Sequence, residues 1–139
     1  MICDACGNPL LFSLTAGNIH DSTAFDTLFG ALLAWTRTLK WRRRLKWIVC
    51  DKGYDGQKII DLCKANGLLP VIPKRRSPGG KERENPDFDK DVYRERNHVE
   101  RCIGWLKENR RIATRYEKLA ITYQAMIQLG MARRFLKAA

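Results

Sequence analysis

The chain has 139 residues, 45% of them hydrophobic, and its 26 Lys and Arg against 15 Asp and Glu leave a net charge of +11. That length permits one domain with one core, and the apolar content excludes a disordered chain. The charge asks for a polyanionic partner, and with no apolar run near the roughly 18 residues of a span and no signal-peptide pattern in MICDACG, nucleic acid is preferred over membrane and a cytoplasmic, nucleoid-associated location is expected.

Taken in order, Ile2 to Ala5 and Leu10 to Leu14 flank a Gly7-Asn8-Pro9 turn and predict a hairpin. Cys3 and Cys6 form one C-x-x-C pair, but a structural zinc site wants a second pair, and five cysteines without framework spacing suit a reducing compartment. Apolar residues from Phe25 to Trp35 recur with helical spacing, so a helix is predicted from about Thr23 to Leu39, capped by Asp21 or Ser22. The same capping preference makes His20, Asp21 and Ser22 a helix start rather than a nucleophile and base. Lys40 to Lys46 then interleaves cations with Trp41 and Leu45, and Arg42, Arg43 and Arg44 suit either a solvated loop or a phosphate-contacting patch.

Trp47 to Cys50 is continuously apolar and predicts a strand buried on both faces, with Asp51 immediately after it. Asp55 is a candidate N-cap for a short helix through Ile59 and Cys63, which ends at Asn66-Gly67, and Leu68 to Ile72 reads as a further strand. Residues 73 to 91, PKRRSPGGKERENPDFDKD, lack period and apolar content and predict a mobile loop in which Arg75 and Arg76 are free for phosphate. Two helices follow, from about Val92 to Arg111 and from about Ile121 to Leu136. The order predicts an α/β chain with a mixed sheet.

Within the first of those helices, Tyr93, Arg96, Glu100 and Lys107 fall in an arc of roughly 60° on an ideal helix. An apolar stripe of Val99, Ile103 and Leu106 runs beside them and places Glu100 at the edge of the core. Such a carboxylate, flanked by two cations, suits a phosphate ligand bridged by metal; intrahelical ion pairing on an exposed face is the competing reading.

The spacing Tyr93-x2-Arg96-x3-Glu100-x6-Lys107 resembles the signature around the last acidic residue of bacterial insertion-sequence transposases of the DDE class. The segments ICDACGNPLLFSLTAGNIHDS and WIVCDKGYDG resemble that family's other shared blocks, those of the insertion-sequence-five group in particular. The resemblance implies a ribonuclease-H-like fold with flanking helices, here lacking its first, central strand and the N-terminal DNA-binding region. It implies DNA cleavage and strand transfer by in-line displacement with Mg2+ or Mn2+. Asp51 and Glu100 become the second and third metal-binding carboxylates, with Arg96 and Lys107 contacting or orienting phosphates and Tyr93 in support. Asp4 aligns beside the family's first hairpin turn, so the first carboxylate is expected upstream of it. An upstream segment, joined in cis by frameshift or supplied in trans, and an oligomer when active are implied as partners; a decayed or mispredicted copy is an equally simple account. A basic, non-catalytic fragment that binds DNA and regulates transposition is the alternative function.

Overall fold

The computed structural model describes residues 1–18, 21–40, 44–75 and 88–138. His20, Trp41, Arg42, Arg43, Arg76 and most of the anticipated loop between 73 and 91 lie outside them. The chain is α/β and forms two compact units: Met1–Ala16 with Asn97–Ala139, and Gly17–Arg96.

The hairpin opens the first unit. Strands β1 (Ile2–Cys3) and β2 (Pro9–Leu11) pair antiparallel, with Ile2 opposite Leu11. Gly7, at φ +78°, supplies the left-handed turn residue that a side chain would strain. The Asp4 carboxylate accepts from the backbone N–H of Cys6 and Asn8 and from Asn8 Nδ2, so it is committed to the turn.

The second unit begins with a 3-10 turn (Asp21–Ala24) that leads into α1 (Phe25–Thr38). Phe25 and Phe29, one turn apart, stack with centroids 5.3 Å apart, and with Leu33 they bury the helix's apolar face. Strand β3 (Trp47–Val49), helix α2 (Gln57–Ala65) and strand β4 (Leu69–Val71) make a β-α-β unit whose strands pair parallel, Trp47 opposite Leu69 and Val49 opposite Val71. Ile59, Cys63, Leu68 and Ile72 complete this core, each large apolar side chain adding about 1.5–3 kcal/mol by burial. The unit ends with α3 (Lys90–Arg94), whose N-cap Asp89 accepts from the Asp91 and Val92 N–H groups.

Helices α4 (Asn97–Lys107), α5 (Arg110–Ala113) and α6 (Ala120–Ala138) return to the first unit. Cys102, Leu106, Ile112 and Ile127 are its core, with Met1 and Phe12 of the hairpin segment packed on it. Gly130 permits close approach: a Cβ there would lie 2.9 Å from Leu106 Cδ2 and 3.3 Å from Ile112 Cδ1.

Several expectations need correction. The helix anticipated from Val92 to Arg111 is three helices, interrupted at Glu95-Arg96 and again after Lys107. Neither Asp21 nor Ser22 is the N-cap of α1; that position is Ala24, without a side-chain cap, because the 3-10 turn intervenes. Asp55 does not cap α2, whose N-cap is Gly56, since its carboxylate is engaged elsewhere. Strand β3 is not buried on both faces: Trp47 is 48% exposed while Ile48 packs on the core. Ile103, at 37% exposure, faces out and Cys102 takes the core position instead. Among the described residues the strands form two separate two-stranded sheets, one antiparallel and one parallel, rather than one mixed sheet.

Candidate active site

Asp51 follows β3 and opens a one-turn 3-10 helix, Lys52–Tyr54, as its N-cap. Its Oδ1 accepts from the Lys52 N–H at 2.6 Å, and the Tyr54 N–H donates to its carbonyl at 2.9 Å. Upstream, the Cys50 N–H donates to Val71 O at 3.2 Å and continues the parallel pairing to the residue before the acid. The free side of the carboxylate is turned to Arg96, whose Nη2 lies 3.4 Å from Oδ2; the Asp51 side chain is 49% exposed and that of Arg96 27%.

Beyond the turn stands Arg75. Its Nε donates to Lys52 O and its Nη2 to Gly53 O, both at 3.1 Å, while its backbone N–H donates to Asp55 Oδ2 at 2.6 Å. The expected phosphate contact therefore has its guanidinium engaged with backbone. Arg44 is exposed, as is Lys46, whose ammonium sits 5.7 Å from the centre of the Trp47 ring.

The four-residue signature divides. Tyr93, on α3, is half-buried and tilts against Phe88 at 5.1 Å, and Arg96 lies in the turn after that helix. Glu100 and Lys107 are exposed in the first and last turns of α4, where each complements the helix dipole. Seven residues apart on one helix, those two do share a side. Tyr93 and Arg96 belong to the unit of Asp51, and Glu100 and Lys107 to the other, and the continuous helix on which the stripe of roughly 60° was expected is interrupted at Glu95-Arg96.

Burial dominates the thiols. It pushes Cys50, beside Asp51, up to about 12, with Cys63 and Asp51 adding charge repulsion, and pushes Cys3 and Cys63 up to about 11. They are weak nucleophiles at neutral pH.

Sequence reasoning passed over a basic face on α6. Arg134 lies 5.6 Å from the Trp105 ring centre, and Arg133 and Lys137 line a cavity of about 200 Å³ with Trp105, Glu108, Asn109 and Gly130. The i, i+4 cations at the end of that helix were the available signal.

A hard divalent ion takes one or two carboxylates, completing its shell with water and phosphate. The half-exposed Asp51 carboxylate fits as one such donor. Among the described residues no group of three or more His, Cys, Asp or Glu side chains could hold a metal.

Residues 1–135 match the Transposase DDE domain family. The chain is 31% identical over 132 residues to a protein of Burkholderia cepacia named as transposase for insertion sequence element IS402, covering 94% of this chain but only 58% of that relative. It is 27% identical over 140 residues to one of Brucella ovis named for element IS6501, covering 98% of this chain and 95% of that relative. No solved structure matches the chain, and among the described residues no helix is long and apolar enough to cross a membrane.

Proposed function

The chain belongs to the transposase DDE-domain family, and from that premise we propose that it is the C-terminal part of the catalytic domain of an insertion-sequence transposase of the insertion-sequence-five group. DNA cleavage and strand transfer are its reaction, and DDE transposases generally use divalent metal ions. The observation that carries the reading is the placement of Asp51. A carboxylate at the C-terminal end of a parallel strand stands where α/β sheets bind their ligands, and this one is half-exposed on a hydrogen-bonded turn.

In this reading Asp51 and Glu100 are metal-binding carboxylates, Arg96 sets the charge beside Asp51, and Lys107 contacts phosphate. Tyr93 buttresses the segment carrying Arg96 by packing on Phe88. Magnesium or manganese would supply charge stabilisation at the attacking and leaving oxygens. Arg44, with Arg42, Arg43 and Arg76 from outside the described residues, adds positive charge for DNA. The ribonuclease-H-like architecture is completed by a strand and a further carboxylate from an upstream segment, joined by frameshift or supplied in trans within an oligomer. Among the described residues each sheet has two strands, fewer than an independently stable sheet needs, which supports that part of the reading.

Cleavage of labelled element ends tests it. With the upstream segment present, Asp51→Asn and Glu100→Gln should each abolish cleavage and leave DNA binding largely intact. Residues 1 to 139 alone should not cleave; robust cleavage by them would overturn the missing-carboxylate part. The net charge of +11 also suits a second reading, a non-catalytic DNA-binding regulator, which binding of element ends without any cleavage by the joined form would support.

A further inference from the structure

We infer that Arg75 is the positioning residue of the Asp51 turn, acting on the turn's backbone and not on DNA phosphate. The inference rests on the reading of Asp51 as a metal-binding carboxylate. Its own basis is the fork of two 3.1 Å hydrogen bonds from the Arg75 side chain to the successive carbonyls of Lys52 and Gly53. Helical ends leave carbonyls without partners inside the turn, and a planar guanidinium satisfies two neighbouring ones at fixed geometry. A lysine ammonium carries the same charge without the fork.

The connection also runs the other way, because the Arg75 N–H donates to the Asp55 carboxylate at 2.6 Å. Side chain and main chain of one residue thus close both sides of the segment that follows Asp51. On the other side of Asp51, the Cys50 N–H is held by Val71 O, in the strand that leads to Arg75. The acid is therefore fixed from before and after by the end of β4 and its extension. A metal-binding side chain needs this kind of support, since a site about 1 Å too loose loses its function.

The test uses the whole 139-residue chain with Arg75→Lys and Arg75→Ala. Three measurements are compared with the parent: hydrogen exchange at Tyr54 and Asp55, Mn2+-induced broadening of resonances around Asp51, and the salt dependence of DNA affinity. Both variants should speed exchange in the turn about tenfold while exchange in α6 stays unchanged, and both should weaken the Mn2+ effect. Arg75→Lys should leave the salt slope as it is. Rescue of exchange and broadening by lysine would overturn the inference, because charge alone would then suffice. So would unchanged exchange in Arg75→Ala with the salt slope reduced by about 0.9, the mark of a lost phosphate contact. Asp51→Asn separates the two readings. If it broadens with Mn2+ as the parent does, the assignment of Asp51 fails, while the exchange data still decide whether Arg75 holds the turn.

Discussion

Arg96 reaches back 45 residues to set its Nη2 3.4 Å from Asp51 Oδ2. The pair is partly exposed, so it contributes only about 0.2–1 kcal/mol to stability. Its larger effect is on what else can approach the carboxylate, because a cation already beside Oδ2 competes with a metal ion. Arg96→Gln is expected to leave the melting temperature nearly unchanged and to raise the affinity of the isolated chain for Mn2+ several-fold. Titration by paramagnetic relaxation would show it; weaker Mn2+ binding would make Arg96 a support of the site and not a competitor.

DNA binding should run through phosphates. Affinity is expected to fall steeply with salt, log K dropping by about 0.9 for each phosphate neutralised per decade of salt. Replacing Arg133 and Lys137 together should lower the slope by up to twice that amount if the basic face of α6 takes part. A flat salt dependence of the parent chain would dispose of the phosphate-contact account.

The hairpin and α2 were legible because their ends carry left-handed glycines, Gly7 at φ +78° and Gly67 at φ +67°. The break at Glu95-Arg96 was not, since neither residue is a helix breaker and the local pattern of Val92 to Lys107 stays helical across it. Asp51 could be picked out as an acid after an apolar run. Its partners could not, because Arg75 and Arg96 approach it from distant positions and their charge alone reads equally well as phosphate binding. Asp55 misled for the same reason: a good capping residue in sequence is a partner of Arg75 in space.

Thiol chemistry should separate the five cysteines. Cys6 is exposed, whereas Cys3, Cys50, Cys63 and Cys102 are held protonated by burial. At pH 8 one thiol should react fast with a maleimide and four slowly. Because the folded thiols ionise near 11 to 12 against an ordinary value of 9.0, the unfolded state loses protons first. Stability should hold below pH 9 and decline from there toward pH 12. Denaturant midpoints across that range check the sign; Cys50→Ser should flatten the decline.

Gly130→Val should destabilise the unit of α4, α5 and α6 by about 1–3 kcal/mol, because the added methyls displace Leu106 and Ile112 from a packed core. Amide exchange in α6 would report it. An unchanged exchange pattern would mean that α6 can shift to make room.

The hydrogen bonds around Asp51 differ in how far along the chain they reach. Arg75 closes on Gly53 over 22 residues and Arg96 on Asp51 over 45. Loop closure costs more as the intervening chain lengthens, and a nascent chain emerges from its N-terminal end. On the ribosome the β-α-β unit and the Arg75 fork can therefore close before Arg96 has emerged, so that the acid waits in a finished turn for the cation that will face it.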